Sequence, residues 1–538
     1  MGSLTRPATA PAAAQSIAAK GSYGWVILIV LLLLGNLAGC ATMPDNSQRT
    51  PSSHVADTGS TLVARLFRQE KLSHPGKSGF HLLADGYDAF VARAVLARYA
   101  EKTIDIQYYL FHGDATGRAI YSELHAAAER GVRVRILLDD IDLADRDATL
   151  AAIDAHPNIE VRVFNPFSRD TMRGLQFITG FGKVTRRMHN KSFTVDNQAT
   201  IVGGRNIGDE YFSADPDLAF SDLDVLAIGP VVRDVSQSFD EYWNHDLAYP
   251  VVLLNKRKLT EDELAEKQQE ARKLAADFQQ SPYMDALRNS NHAKALRKGT
   301  VEFAWGRAEV VYDSPDKLLN AIGDRKYMLA PQLAPYIAET TKEFTVFSAY
   351  FVPGKEGLQL FEDLRKRGVR VRIMTNSLSS NDVSVVHAGY RKYRKRLLAT
   401  GVELYEMKKQ LSRKEKKAKK GKTGSSKASL HAKSFVMDRQ RLLIGSINLD
   451  PRSFYENTEI GVVFESPPMA RGMAEWFDVN AEKVAYRLEL KDTGEGKKLV
   501  WHDMDEQGHV VHEVEPNTSF WQRLWISLVS ILPFESQL

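Results

Sequence analysis

Cysteine is almost absent from this chain, since its 538 residues contain one, Cys40. A single thiol excludes an intramolecular disulfide and a zinc site built on a cysteine cluster. The sequence also has no Gly-x4-Gly-Lys-[Ser/Thr] phosphate loop and no His-Glu-x-x-His pair, which removes two common classes of catalytic motif. Any chemistry must therefore be carried by other side chains.

Long apolar runs are also scarce. The run from Trp25 to Leu34 is shorter than the roughly 20 residues of a transmembrane helix, but it fits the apolar region of a signal peptide. Arg6 and Lys20 precede it, and Leu37-Ala38-Gly39-Cys40 follows it. This arrangement resembles a bacterial lipoprotein signal, and it predicts a lipidated Cys40 on the periplasmic side of the cell envelope. An uncleaved signal anchor is the alternative.

Positive charge is concentrated in one segment. The formal net charge is +4, but residues 408 to 427 hold ten Lys or Arg against the single acid Glu415. The remainder of the chain therefore carries −5, which does not indicate an extended nucleic-acid-binding surface. Gly421, Gly424, Ser425 and Ser426 in the segment favour a mobile loop, and contact with an anionic lipid leaflet is the alternative.

One motif, His-x-Lys-x4-Asp-x6-Gly-[Gly/Ser]-x-Asn, is present twice. The second copy follows the first by 242 residues, and the string Arg-Gly-Val-Arg-Val-Arg-Ile recurs at an offset of 237. Two unrelated markers with nearly the same period indicate a duplicated domain. The motif residues are His189, Lys191, Asp196, Gly203, Gly204 and Asn206, and then His431, Lys433, Asp438, Gly445, Ser446 and Asn448.

Each copy has the same predicted order of elements. A strand, a helix and a second strand precede the motif, and the motif itself predicts a hairpin. A strand, a crossover helix and a strand at this spacing predict parallel neighbours and an α/β fold. The expected elements are 103–110, 117–130 and 132–138 in the first copy, and 344–351, 357–367 and 369–375 in the second.

The motif residues suggest displacement at phosphorus. Residues two apart on a strand point to one face, so each half presents an imidazole beside an ammonium, His189 with Lys191 and His431 with Lys433. Two related halves can place one histidine on each side of a phosphate. Groups that would bind the non-bridging oxygens are Lys191, Lys433, Asn206 and Asn448, with Ser446 beside them. This chemistry needs no metal, and we predict no cofactor.

The paired motifs closely resemble the HKD signatures of the phospholipase D superfamily, over most of residues 80 to 480. The resemblance implies two tandem α/β sandwich domains that form one pseudo-two-fold active site. It further implies that one histidine attacks to form a phosphohistidine and the other protonates the leaving alcohol. The family commonly uses the first copy for attack, so His189 is the expected nucleophile and His431 the expected acid, although the sequence does not assign the order.

Four acids are assigned by the same resemblance. Asp196 and Asp438 complete the motifs and are expected to brace the local fold. Asp224 and Glu459 follow the motifs and are expected to orient the two histidines. Ordinary polarity at a strand end is the alternative for the second pair.

The stretches 187–196, 203–212 and 239–244 resemble bacterial cardiolipin synthases of the C type. This implies transfer of a phosphatidyl group onto phosphatidylglycerol, with phosphatidylethanolamine or a second phosphatidylglycerol as donor. Phospholipids and a membrane are then the expected partners, and no nucleic acid is expected. A hydrolytic phospholipase D is the nearest alternative, a nuclease of the same superfamily the next, and a scaffold with a decayed site the last.

The chain is divided on these grounds into six parts. Near the C-terminus, Phe520, Trp521, Leu524 and Trp525 open an amphipathic helix that either docks on the core or lies in a lipid interface. The six parts are a signal peptide (1–40), a flexible tether (41–60), a first phospholipase D-like domain (61–255), a helical connector (256–320), a second such domain (321–485) and a tail with the amphipathic helix (486–538).

Overall fold

Two large mixed β-sheets, one from each half of the chain, form the framework of the protein. The computed structural model describes residues 43–179, 182–214, 218–255, 260–381, 383–409, 427–494, 496–505 and 508–531. Cys40, the predicted signal segment and most of the Lys-rich segment lie outside these ranges. No helix in the described ranges has both the length and the apolar character to cross a bilayer.

The strands are numbered in chain order. Those of the first half are β1 (Ser78–Leu83), β2 (Thr103–Tyr108), β3 (Arg133–Asp139), β4 (Ile159–Phe164), β5 (Ser192–Val195), β6 (Ala199–Gly203), β7 (Leu218–Ser221), β8 (Asp224–Ile228), β9 (Ala248–Pro250) and β10 (Ala304–Gly306). Those of the second half are β11 (Ala308–Tyr312), β12 (Glu343–Ser348), β13 (Arg370–Asn376), β14 (Glu403–Met407), β15 (Lys427–Leu430), β16 (Lys433–Met437), β17 (Arg441–Gly445), β18 (Ile460–Glu465), β19 (Ala485–Asp492), β20 (Lys497–Asp505) and β21 (Gly508–His512).

The α-helices are numbered in the same way. Those before the second sheet are α1 (Leu62–Leu66), α2 (Arg68–Ser73), α3 (Gly86–Tyr99), α4 (Ala115–Glu129), α5 (Asp147–Asp154), α6 (Arg173–Thr179), α7 (Val231–Trp243), α8 (Val251–Leu254), α9 (Glu261–Gln279), α10 (Pro282–Asn289) and α11 (Asn291–Lys298). The others are α12 (Ala330–Ala338), α13 (Gly354–Lys366), α14 (Ser384–Arg391), α15 (Arg394–Ala399), α16 (Pro467–Val484) and α17 (Phe520–Val529).

Eight strands have the same spatial order in both halves. The first sheet runs β10-β1-β8-β6-β5-β2-β3-β4-β9, and the second runs β11-β18-β17-β16-β12-β13-β14-β19-β20-β21. In each sheet the three strands that alternate with helices are parallel, β2 with β3 and β4, and β12 with β13 and β14. The predicted α/β fold and the predicted duplication are both confirmed, and the predicted elements agree with the observed ones to within a few residues.

The two halves share a buried apolar core. Phe80 of β1 stacks on Phe464 of β18 with their ring centroids 4.1 Å apart, and Val225 of β8 lies in the same cluster as Ile444 of β17. A two-stranded parallel sheet of β7 and β15 also joins the halves. This contact places the segments that follow β7 and β15 next to one another.

The predicted flexible tether, residues 41–60, is corrected for its described part. Asn46 Nδ2 donates to the carbonyls of Asp246 and Ala248, both at 3.0 Å. The His54 ring lies 2.7 Å from a carboxylate oxygen of Asp240 on α7. The polar composition of this segment is typical of a solvated linker. In the structure, however, its polar side chains form hydrogen bonds with the first domain.

Two other predicted boundaries are also moved by the structure. The connector 256–320 contains α9, α10 and α11, as expected, but β10 joins the first sheet and β11 begins the second. The second sheet does not end at residue 485, because β19, β20 and β21 extend it by an antiparallel meander. Asp, Glu, Lys and Arg make up eight of the 22 residues of these three strands and interrupt their apolar pattern, which weakens the strand signal in the sequence.

Candidate active site

Each motif begins on the segment that enters a β-hairpin, β5–β6 in the first half and β16–β17 in the second. The hairpin turns contain residues with positive φ, Asp196 and Asn197 at 49° and Asp438 at 54°. Asp and Asn tolerate this left-handed conformation better than most residues. The repeated spacing of the motif therefore has a structural cause at its aspartate.

Asp196 and Asp438 lie at the turns and brace neighbouring loops. Asp196 accepts hydrogen bonds from the backbone N–H groups of Lys102 at 2.7 Å and Thr103 at 2.9 Å. Asp438 accepts the equivalent bond from the N–H of Lys342 at 2.7 Å. Both acids therefore tie the hairpin to the strand beside it, and in the described contacts neither touches a histidine.

The backbone of each histidine is bonded to the opposite half of the chain. The His189 N–H donates to the Thr458 carbonyl at 2.9 Å, and the His431 N–H donates to the Ser221 carbonyl at 2.8 Å. The two acceptors each immediately precede an acid, Glu459 or Asp222. The pseudo-two-fold relation thus brings one histidine of each half into contact with the other half.

The side chains of the two histidines also bond to the opposite half of the chain. His189 Nδ1 lies 2.9 and 3.0 Å from the two carboxylate oxygens of Glu459, and His431 Nδ1 lies 2.5 Å from an oxygen of Asp222. Both histidines are buried, with 8% and 6% of their surface exposed. A carboxylate at Nδ1 keeps the proton there and leaves the Nε2 electron pair for chemistry.

Asp224, which was expected to orient one of the two histidines, contacts neither of them in the described structure, and Asp222 holds His431 instead. Gly203 pairs with Asp224 across β6 and β8, and Gly445 pairs with Gly461 across β17 and β18. This register makes Asp224 the counterpart of Gly461, and Asp222 the counterpart of Glu459. Asp222 and Asp224 lie two positions apart in the sequence, and the strand register distinguishes them.

Asp224 has a different role in the fold. Its carboxylate accepts a bond from Arg93 Nη2 at 2.8 Å and lies 3.4 Å from Arg205 Nη1, and all three side chains are buried. Removing one partner of such a buried ion pair generally costs about 3–5 kcal/mol. Asp224 therefore stabilises the first domain behind the site.

The two motif lysines point back at their own histidines. Lys191 Nζ donates to the His189 carbonyl at 2.7 Å, and Lys433 Nζ donates to the His431 carbonyl and lies 3.1 Å from His431 Nδ1. Both ammonium groups are buried. They surround the histidines with positive charge, which suits an anionic substrate.

The electrostatics couple the two halves. Burial, followed by the charges of Lys191 and Lys433, lowers the pKa of His189 well below its ordinary value. Burial and Lys433 also lower the pKa of His431, while Asp222 opposes that shift. Lys433 belongs to the half opposite His189, so its effect shows that the two motifs form one site.

Burial also brings the pKa values of Lys191 and Glu459, which ordinarily differ widely, close to each other. It lowers the pKa of Lys191 to about 7, against the favourable charge of Glu459. It raises the pKa of Glu459 to about 7, against the charge of Lys191 and the hydroxyl of Ser446. An anionic phosphate between the lysines would favour the charged form of Lys191.

The predicted phosphate-binding residues Asn206, Asn448 and Ser446 differ in the hydrogen bonds that they form. Asn206 Nδ2 donates to the Tyr211 hydroxyl at 2.9 Å, and Asn448 is buried with no partner for its Oδ1 among the described residues. Ser446, however, donates its hydroxyl to Glu459. In the described structure its hydroxyl therefore supports the acid that holds His189, and phosphate binding by Ser446 stays a prediction.

Sequence reasoning missed a second pair of supporting residues, Asp139 and Asn376. Asp139, the last residue of β3, accepts the N–H of Met188 at 2.9 Å. Asn376, the last residue of β13, accepts the N–H of Leu430 at 2.9 Å. Each thus fixes the residue before a motif histidine. The signal was present, because these two residues have the 237-residue offset of the second repeat marker.

Two tyrosine rings were also missed. Tyr109 meets the His189 ring edge-on with centroids 4.8 Å apart, and Tyr211 of the first half meets the His431 ring at 5.2 Å. These contacts restrict the rotation of both imidazoles. Tyr211 reaches a histidine of the other half, which is a tertiary contact without a signal in the local sequence.

Comparisons with known proteins identify the family of the chain. The family model described as "Cardiolipin synthase, PLD-like domain" matches residues 96–243 and 333–480, one match in each half. Cardiolipin synthase C of Escherichia coli (strain K12) is 42% identical over 462 residues, which is 86% of this chain and 96% of that protein. The chain therefore belongs to the cardiolipin synthase family of phospholipase D-like enzymes.

Two other relatives extend the comparison. An uncharacterized protein of Helicobacter pylori (strain ATCC 700392 / 26695) is 33% identical over 526 residues, which is 94% of this chain and 99% of that protein. The crystal structure of phosphatidylserine synthase from Haemophilus influenzae Rd KW20 has a TM-score of 0.53 and 13% identity, covering 88% of this chain and 100% of that chain. At this identity the second likeness shows the fold alone.

Proposed function

We propose that the enzyme transfers a phosphatidyl group onto phosphatidylglycerol and thereby makes cardiolipin. One observation carries the proposal: two buried histidines, each beside a lysine, are each held at Nδ1 by a carboxylate from the opposite half. Displacement at a phosphodiester needs a nucleophile on one side and an acid on the other. The name of the relative cardiolipin synthase C supports phospholipids as the substrates.

In the first step, His189 Nε2 attacks the phosphorus of the donor phospholipid. A nitrogen–phosphorus bond forms, and the bond between phosphorus and the headgroup oxygen breaks. His431, in its protonated form, gives its proton to that oxygen, and a free headgroup alcohol departs. Charge on the non-bridging oxygens is balanced by Lys191 and Lys433.

The second step reverses the first with a different alcohol. His431, now neutral, takes the proton from a hydroxyl of phosphatidylglycerol, and the resulting oxygen attacks phosphorus. The nitrogen–phosphorus bond breaks, so His189 is restored and cardiolipin is released. Every proton and electron pair is returned, so the two steps balance without a redox partner.

The donor headgroup and the location are the finer parts of the proposal. Either phosphatidylethanolamine or a second phosphatidylglycerol supplies the phosphatidyl group, and the same histidines serve both. We further propose that the enzyme works at a bacterial membrane, tethered through a lipidated Cys40 on the periplasmic side. The described residues do not include Cys40, so the tether rests on the sequence signal.

The test uses the full chain in mixed vesicles of headgroup-labelled and acyl-labelled phosphatidylglycerol, with and without phosphatidylethanolamine. His189→Ala and His431→Ala are run beside it. We expect cardiolipin to form only when both histidines are present, and the headgroup released identifies the donor. Phosphatidic acid as the sole product would instead assign a hydrolase, and no lipid turnover would contradict the proposal.

A further inference from the structure

Helix α17 presents an apolar surface that no other described part of the chain covers. Its outward residues include two tryptophans, Trp521 with 73% of its surface exposed and Trp525 with 60%. We call this surface the aromatic ridge. Its members are Phe520, Trp521, Leu524, Trp525 and Leu528.

The ridge is one continuous face of the helix. At about 100° per residue its five members fall within about 140° of arc, and the buried residues Ile526 and Val529 lie outside that arc on the other side. The helix begins with a capping box, in which Ser519 and Gln522 satisfy each other's backbone groups. The exposed apolar side chains therefore belong to a formed helix and not to a frayed end.

The helix is firmly attached to the second domain. Ile526 and Val529 pack against Leu378 and Ala388, and Arg391 Nη1 donates to the Ser527 hydroxyl at 2.6 Å. The inner face of α17 therefore packs on the second domain. Packing on that domain does not explain why the outer face is apolar.

The segment that leads into the helix is fastened as well. Glu515 accepts a bond from Arg394 Nη2 at 2.6 Å and lies 3.1 Å from His387 Nε2. Both contacts are buried. The orientation of the ridge is thus held both by the helix and by the segment before it.

The position of the ridge relates it to the active site. Asn376 ends β13, where it bonds both backbone groups of Leu430, the residue before His431. Two residues further on, Leu378 lies in one apolar cluster with Ile526 of α17. The ridge is therefore carried at the same end of the second sheet as the catalytic histidine.

We propose that the aromatic ridge docks the enzyme on an anionic phospholipid bilayer and so presents the active site to lipid headgroups. Exposed tryptophan and leucine on one face of a helix are the residues that enter the interface of a bilayer. The helix has no acidic residue, it contains Arg523, and Arg391 lies beside it, so its charge suits an anionic surface. The inference rests on the proposed phospholipid substrate, because an enzyme that acts on such lipids must reach a bilayer.

The first test replaces both tryptophans with a charged residue in the full chain, Trp521→Glu/Trp525→Glu. On vesicles of phosphatidylglycerol and phosphatidylcholine we expect kcat/KM to fall by at least about tenfold, because the ridge no longer enters the interface. On short-chain phosphatidylglycerol below its micelle concentration we expect little change, because no interface is present. Leu72→Glu/Val479→Glu is the matched control, since both residues are exposed apolar side chains outside the ridge.

The second test is independent of turnover. Phospholipids brominated on their acyl chains quench tryptophan that enters the bilayer, so the parent chain should be quenched. The quenching should be largely lost in Trp521→Phe/Trp525→Phe, which keeps the ridge apolar and should keep its activity on vesicles. Failure of the proposed function would leave the quenching intact and abolish cardiolipin formation, so the two failures are distinguishable.

Three outcomes would overturn the proposal. One is equal activity of the parent and the Glu variant on vesicles. Another is an equal loss on vesicles and on dispersed lipid, which would indicate damage to the fold or the site. The third is a parent dimer that the Glu variant dissociates in sedimentation, which would make a second copy of this chain the occupant.

Discussion

The two halves of the active site are built alike but are not equivalent. His189 faces both oxygens of Glu459, whose pKa is raised to about 7 by burial and which also accepts the Ser446 hydroxyl. His431 faces one oxygen of Asp222. Burial acts to raise the pKa of Asp222 as well, but the charge of His431 and its hydrogen bond outweigh that effect, so the pKa is lowered.

This difference between the carboxylates bears on the roles of the two histidines. The carboxylate that stays ionised beside His431 favours the charged imidazole, whereas a carboxylate with a raised pKa favours it less. The asymmetry therefore suits His431 as the acid and His189 as the neutral nucleophile.

The largest expected effect comes from removing either histidine. His189→Ala and His431→Ala should each lower cardiolipin formation by roughly 10⁴-fold or more, because neither step has another nucleophile or acid. The two variants should differ in one respect. With a donor lipid labelled in its phosphate and an alkaline denaturing quench, His431→Ala should retain slow labelling of the protein, whereas His189→Ala should show none. Labelled protein in His189→Ala alone would reverse the assignment.

The next comparison separates Asp222 from Asp224. Asp222→Asn should lower kcat/KM by about 10²-fold to 10⁴-fold, because His431 loses the group that orients and charges it. Asp224→Asn should act mainly on stability, by about 3–5 kcal/mol, because it leaves Arg93 without its buried partner. Steady-state kinetics and thermal unfolding of both variants are the measurements. If Asp224→Asn were stable but inactive while Asp222→Asn stayed active, Asp222 would not be the acid that serves His431.

The same variant should also move the pH profile. His431 must be protonated for the first step, so kcat/KM should fall as pH rises through its pKa, which lies below the ordinary value. Asp222 raises that pKa, so Asp222→Asn should move the alkaline limb to lower pH. The residual activity of the variant, followed across the acid and neutral range, gives the shift. An unmoved limb would mean that another group sets it.

Much of this arrangement could be predicted from the sequence. The duplication, the hairpins and the motif residues were accessible because local spacing determines them: His189 and Lys191 are two apart on an extended segment, and Asp196 sits at the turn. The 237-residue offset even relates Glu459 to Asp222. Applied to the acids, this offset selects Asp222 and not Asp224 as the counterpart of Glu459.

Other features could not be predicted in this way. The crossing of each carboxylate to the opposite histidine, and the contact of Tyr211 with His431, depend on how two domains face each other. The segment at Asn46 looked like a linker because its residues are polar, and polarity does not reveal whether a partner is a carbonyl group or water. The contact of Ser446 with Glu459 could not be predicted for the same reason.

The smallest expected effect comes from Ser446→Ala. Gly204 occupies the equivalent position in the first motif. Ser446→Ala removes the hydroxyl bond to Glu459 and the bond that the hydroxyl accepts from the Ile460 N–H, so kcat/KM should fall by about fivefold to tenfold with the fold intact. Gly204→Ala is the matched variant, and it should cost far more, because its Cβ would collide with the carboxylate of Asp222 and displace that acid from His431. Kinetics and thermal unfolding of both variants compare the halves directly. Equal losses would indicate that the two carboxylates are interchangeable, and the asymmetry would then lie in the substrate and not in the protein.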